Sequence, residues 1–512
     1  MNWLDRAIGW ISPTTAVRRV RARSALDIAS RAYEGARRDH RTASWQVSST
    51  SSNAEIAGAE ELLRNRSRDL VRNNGYAGQI IETVADHIVG TGIVSAPTGL
   101  RGRNLARVQD AYARWIDHCD FDGDQDLNGL LWLAIKAMAE SGSSLIRIRR
   151  QAFDATTRIA PVRLQLLEPD FIDAGKNELT PSGGWIDRGI EYDNEGRRIA
   201  FWLFDAHPGD VAQWRRAAWR SQRVPADELI YLFDKQRPGQ DRGVPLLAPA
   251  IMTLQDLRSY FAAELVRKRV AACMVGVITT QDSDLYLGTD ANKSKAAYGP
   301  QTQRFEPGMW TRLLPGEDVK FHAPQGDSQV DQMAVQYLRE TAAAAGVMYE
   351  HATGDFSRVN YSSWRAGHHG FRRRMERKQW SIAIHKGSRP IADAFTDAAF
   401  AAALIPAKPG WRHTPPGFIS VDPYKDAQAD LLNLRMGKVS PAELVEERGY
   451  DYLEFLAAYA AALRQSDEAF ADLGGVMFDG DPRKAAAGTT VTDKAAGTND
   501  QATADQAAAQ AA

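Results

Sequence analysis

Apolar residues recur along this chain in a helical period, then a strand period, then a helical period again. Between residues 54 and 142, Leu63, Leu70, Ile80, Ile81, Val84 and Ile88 fall at mixed spacings of three, four and seven, which predicts helices broken at "RNNGY". Further helices are expected at 103–118 and 127–140. The period then drops to two. "SSLIRIRR", "VRLQLLE" and "ELIYLF" read as strands, and "GIEYDNEGRRIAFWLF" reads as a hairpin turning at Asp193–Gly196. The first half is therefore α+β.

Helical spacing returns at 246–270, with Ile251, Leu254, Phe261 and Leu265 on or near one face. A Gly- and Pro-punctuated segment follows to about 327, with short strands in "MVGVIT" and "DVKFHA". A second long helix is expected over 329–348, carrying Val330, Met333, Ala334, Tyr337, Leu338, Ala345 and Met348, and its small residues permit close neighbours. Next comes "DFSRVNYSSWRAGHHGFRRRMERKQW", in which a polar, turn-prone lead-in runs into a helix. Between Arg365 and Lys378 it holds six Lys or Arg and one acid, Glu376. At about 100° per residue, Trp364, Phe371, Met375 and Ile382 form an apolar stripe. Arg365, His369 and Arg372 share a neighbouring face that Arg373 and Arg377 extend. One side packs and another is basic. On the residues alone, a solvated face on a packed helix accounts for this as well as a functional surface does.

Composition narrows the classes. A chain of 512 residues predicts two to four domains. With 63 basic against 64 acidic side chains, any grip on nucleic acid is local. Cys119 and Cys273 are the only cysteines, so neither a disulfide scaffold nor a cysteine zinc site is expected, and the count fits a reducing cytoplasm. No signal peptide is expected at the N-terminus, because Asp5 and Arg6 interrupt its apolar face, and no run approaches about 18 uncharged apolar residues, so no transmembrane helix is expected. Residues 17–41 carry eight arginines against three acids, a solvated or partner-bound arm or else a DNA-binding one. From 421 onward, 8 basic face 16 acidic residues, a net of −8, and the last thirty residues lack core formers apart from Val491 and read as disordered.

Motifs for chemistry are mostly absent. "GTDANKSK" has the wrong spacing for a phosphate-binding loop, "GTG" at 90–92 lacks the third glycine of a dinucleotide fingerprint, and neither H-E-x-x-H nor G-x-S-x-G occurs. His351, Asp355, His368 and His369 are residue types that hold divalent metals, and they define the rival reading, a metal-dependent nuclease or phosphoesterase. Against it, adjacent histidines on a helix point about 100° apart. No enzymatic activity, cofactor or metal is expected.

Five stretches occur in an order that resembles tailed-phage portal proteins of the lambda type: "RNNGYAGQIIETVADHIVGTGI", "QRPGQDRGVPLLAPAI", "LLPGEDVKFHAP", "GDFSRVNYSSWRAG" and "GFISVDPYKDAQADLLNLRMGKVSPAELVEERGYD". The resemblance spans about residues 30 to 460. The resemblance implies a ring, usually dodecameric, at one capsid vertex, through which double-stranded DNA is packaged and ejected. It implies a virion protein, assembled in the host cytoplasm, that meets the large terminase subunit, head-tail connector proteins, and major capsid and scaffold proteins. The portal fold it implies divides the chain into a basic arm (1–52), an α+β wing (53–243), a stem helix (244–270), a clip (271–327), a second stem helix (328–348), a tunnel loop (349–360), a long helix and wing return (361–423), a helical crown (424–475) and a disordered tail (476–512). Ser357, Arg358, Asn360, Tyr361 and Ser362 then fall at or beside the channel constriction, making transient phosphate contacts without reading sequence. Arg365, Arg372, Arg373 and Arg377 fall behind them, and an intersubunit role is preferred over DNA contact, since a closed ring repeats one heterologous interface.

Overall fold

The computed structural model describes residues 51–210, 220–272, 276–280, 317–321, 330–418 and 423–469, with scattered positions before 51. Most of the expected arm (1–52) and clip (271–327), the end of the expected crown beyond 469, and the Ala-rich tail 476–512 lie outside the described residues. Two compact units separate, residues 1–58 with 237–240, and residues 59–236 with 241–512.

In the smaller unit, α1 (Ser52–Ala57) begins at Ser51, whose hydroxyl accepts from the Ala54 amide at 3.2 Å and satisfies a free helix-end donor. Arg237 pairs with Glu55 at 2.8 Å and Asn53 donates to the Gly239 carbonyl at 3.0 Å, fastening helix to turn.

In the larger unit, α2 (Glu60–Asn73) and α3 (Gly75–Ile88) meet at Asn74, whose side chain accepts from the amides of Tyr76 and Ala77 at 3.0 and 3.3 Å. After β1 (Val94–Thr98) come α4 (Gly102–Ile116) and α5 (Leu127–Ser141), within two residues of the expected bounds. Helix α5 stops at Gly142, with φ +90°, where an added Cβ would lie 2.9 Å from the Gly243 carbonyl oxygen, so only glycine makes this turn unstrained. Strands β2 (Ser143–Arg150), β3 (Val162–Leu167), β4 (Glu178–Leu179), β5 (Trp185–Asp187), β6 (Ile190–Tyr192), β7 (Arg198–Phe204), β8 (Ser221–Pro225) and β9 (Leu229–Phe233) follow. They build an antiparallel three-stranded sheet, β3-β2-β9, and a five-stranded one, β4-β5-β6-β7-β8. The hairpin turns where the sequence places it, at Asp193–Gly196.

The three-stranded sheet is apolar on both faces because its side chains alternate between two cores. Ile146, Ile148, Leu164, Ile230 and Leu232 face the helical core with Ile80, Ile81, Val84, Leu130 and Ile135. Leu145, Leu167, Leu229, Tyr231 and Phe233 face a second core with Ile190, Phe201 and Val224 of the five-stranded sheet.

The C-terminal half begins with α6 (Ile251–Ala272), and β10 (Gly276–Thr280) pairs with β11 (Glu317–Phe321) before α7 (Val330–Ala345). Leu257 of α6 packs on Ala334 and Leu338 of α7. Then come α8 (Tyr349–Thr353), α9 (Tyr361–Lys378), a π-helical segment at Gln379–Ser388, α10 (Arg389–Ala401), and β12 (Gly410–Thr414), which pairs with β1. Helices α11 (Pro423–Arg435), α12 (Pro441–Glu447) and α13 (Tyr452–Ala469) complete the described chain.

One expectation needs correction. Residues 349–360 are not all loop, because 349–353 form α8 and the loop proper is 354–360. The long helix that opens the 361–423 segment runs on to 401, because 379–388 shifts to wider, five-residue bonding, with the Arg389 amide donating to Ile384. That extra width keeps Ile382, Ala383 and Ile384 in the same core as Ile391 and Phe395.

Candidate functional site

The loop is held by its own polar side chains. Gly354 ends α8 in the left-handed region, φ +69°, with its amide donating to the Glu350 carbonyl at 2.8 Å. The Asp355 carboxylate accepts from the Ser357 amide at 3.0 Å and the Tyr349 hydroxyl at 3.3 Å. Hydrogen bonds from Ser357, side chain before backbone, hold that carboxyl below its ordinary range. At the far end, Asn360 and Ser363 form a reciprocal capping box that starts α9. Ser357, Arg358 and Asn360 thus lie in the loop, while Tyr361 and Ser362 open the helix, and all five are exposed. Beside them Phe356, 55% exposed, leans on Trp364 with ring centres 5.2 Å apart.

Beneath the loop an aromatic cluster joins the helices on either side of it to α3. The His351 ring lies 4.5 Å from Phe371, 5.1 Å from Trp364, 5.3 Å from His87 and 6.0 Å from His368. His87 donates from Nδ1 to the Thr83 carbonyl at 2.8 Å if that nitrogen carries the proton, whereas Nδ1 of His351 and of His368 are buried without a hydrogen-bond partner. Burial, then the neighbouring His87 and His368, push His351 down to about 4. Burial, then His87 and Arg372, lower His368. These are neutral rings packed for shape.

The four residues of the metal reading therefore do not converge. His351 and His368 stack on aromatics, Asp355 closes the loop, and His369 is exposed. Among the described residues, three metal-type ligands gather at Glu168, Asp170 and His207 instead. There Arg68 contacts both carboxylates, at 3.0 and 2.7 Å, and Arg64 approaches Asp170 at 3.2 Å, so arginines already supply the counter-charge.

The basic helix is largely paired within its own chain. Arg365 meets Asp426 of α11 at 2.9 Å. Arg372 meets Glu376 at 2.9 Å and lies 4.9 Å above the Phe418 ring. Arg377 and Lys378 reach Asp234, just beyond β9, at 3.6 and 3.4 Å. Arg373 is exposed and has no ion-pair partner among the described residues. Sequence reasoning missed His87, Asp234, Phe418 and Asp426. His87 lies in "RNNGYAGQIIETVADHIVGTGI" and Phe418 and Asp426 in "GFISVDPYKD", two of the stretches that carry the resemblance, whereas Asp234 lies in none of them.

The described chain thus combines a mixed α/β body, a polar exposed loop between helices and a basic helix behind it. The chain belongs to the lambda family of phage portal proteins, whose family model matches residues 38–379, more than half of the 512 residues and including the loop and all of α9. It is 26% identical over 452 residues to a probable portal protein of Halomonas phage phiHAP-1, covering 82% of this chain and 84% of that one. Portal protein B of Escherichia phage lambda is 22% identical over 465 residues, covering 81% and 85%. A chain from the neck of an empty gene transfer agent particle is a more distant structural likeness, with a TM-score of 0.45 and 15% identity over 76% of this chain and 92% of that one.

Proposed function

We propose that this portal protein forms a closed ring at the capsid vertex and passes double-stranded DNA through its centre, with residues 354–362 lining the narrowest part. The observation that carries this reading is the family match running through the loop and the basic helix. In the same reading, 53–243 is the wing, α6 and α7 are the stem, and α11 to α13 belong to the crown. A bore that lets DNA slide must not hold it, because each neutralised phosphate releases counterions and deepens binding. Exposed serine, asparagine and tyrosine with one arginine, Arg358, suit transient contact. A separate terminase supplies energy, since the chain carries no phosphate-binding loop.

The test is negative-stain imaging of the purified full chain together with an ATPase assay. Closed rings with a central hole and no intrinsic hydrolysis are expected. Open or small oligomers whose DNA affinity falls steeply with salt would instead indicate a nucleic-acid-binding scaffold.

A further inference from the structure

We propose that Arg373 and Arg377 of α9 in one copy of this chain dock on Glu443 and Glu447 of α12 in the next copy. This rests on the ring reading above and names the surfaces that close it.

All four side chains are exposed. Arg373 has no ion-pair partner among the described residues, and Arg377 has only the 3.6 Å approach to Asp234, an acid that Lys378 reaches more closely at 3.4 Å. Glu443 closes the Ser440 capping box but meets no cation among the described residues, and neither does Glu447. The other acids between 423 and 451 are engaged: Asp426 with Arg365, Asp430 with Arg448, and Glu446 and Asp451 with Arg412. Each helix therefore carries a like-charged pair four residues apart, an arrangement that repels within an isolated helix and is relieved by an opposite pair at the same spacing.

Exposed aromatics lie near both pairs: Trp380, 54% exposed, continues the helical run three residues beyond Arg377, and Tyr450, 58% exposed, follows α12 past the turn at Gly449. Arginine and the large aromatics are the residues most enriched at protein interfaces. The two surfaces differ, so their pairing is head-to-tail, and a head-to-tail contact repeated by rotation generates a ring.

Charge reversal in the full chain, read by mass photometry and negative stain, tests this. Arg373→Glu with Arg377→Glu, and separately Glu443→Lys with Glu447→Lys, should each weaken every subunit contact about ten-fold or more, roughly 1.4 kcal/mol per contact, and because the contact recurs at each interface the closed rings should be largely lost. Combining all four substitutions in one chain should restore rings, because every interface then pairs the exchanged charges. That restoration also answers misfolding, since two unrelated folding defects do not cancel. Normal rings in either two-fold variant, or no recovery in the four-fold one, would overturn the contact. Normal rings with weakened DNA retention in the arginine variant would assign these arginines to DNA and overturn it too. A wild-type chain that forms no ring would sink the ring reading itself.

Discussion

Removing Asp234 tests how the helix behind the loop is fixed to the body. Asp234 follows β9 and accepts charge from Lys378, whose side chain is 11% exposed against 23% for the carboxylate, at 3.4 Å. Two unit charges at that distance attract by about 5 kcal/mol at an effective dielectric near 20. Burial of Lys378 lowers its pKa, so part of that attraction only offsets desolvation. Asp234→Ala leaves the ammonium buried and unpaired, which ordinarily costs about 3–5 kcal/mol. Partial exposure of the acid lets water enter, so the lower end, about 3 kcal/mol, is expected.

The double variant Asp234→Ala, Lys378→Met distinguishes this account from general damage. An apolar side chain of similar length removes the stranded charge, so most of the loss should return. Urea unfolding of the isolated subunit, with hydrogen exchange of residues 361–388 as the local readout, measures both. An Asp234→Ala cost below about 0.5 kcal/mol, or a double variant as unstable as the single, would refute the reasoning.

Three further outcomes follow from the geometry. His351 is neutral when folded, with its pKa pushed to about 4 against about 6.5 for a free imidazole. The stability that comes from keeping it neutral is present above pH 6.5 and lost as pH falls towards 4. His351→Phe should therefore reduce the loss over that window by about 1–2 kcal/mol, and equal losses in both proteins would count against the cluster. Gly417→Ala would place a Cβ 2.3 Å from the Glu447 carbonyl oxygen and 2.7 Å from the Arg448 backbone, so limited proteolysis should release α11 to α13 more readily, at a cost of about 1–3 kcal/mol. Phe371→Ala empties the middle of the aromatic cluster and should cost about 3–5 kcal/mol, with faster hydrogen exchange through α8; unchanged exchange there would separate the cluster from the loop.

How much was legible in the sequence follows from where each constraint arises. Helices α4 and α5 write their burial as period 3.6 and β3 as period 2, while β9, buried throughout, shows as a short continuous apolar run, so their positions could be read. The run "HKGSRP" near residue 388 carries the glycine and proline of a helix end, yet the helix continues, because core contacts of Ile382, Ala383 and Ile384 outweigh that local signal. Arg372 with Glu376 was visible as a four-residue spacing. The partners of Arg365 and Arg377 lie 61 and 143 residues away, distances at which no spacing rule speaks. What changed most is the weight on the basic helix: Arg365, Arg372 and Arg377 meet acids of their own chain, and Arg373 alone of the expected four does not.

The same bookkeeping of bonds separates structural from exposed duty within the loop. Asn360 caps α9 through the Ser363 amide at 2.8 Å, so its replacement by alanine should cost about 1 kcal/mol and disturb the loop whatever the channel does. The Ser357 amide donates to Asp355 at 3.0 Å, so this residue is likewise part of the turn. Arg358 and Ser362 are exposed, and neither enters the capping box. They are the clean probes: Arg358→Ala and Ser362→Ala should leave ring assembly and melting temperature unchanged while altering DNA retention in filled heads. If both variants package and retain DNA as the unaltered chain does, residues 354–362 are a turn between helices and the constriction lies elsewhere.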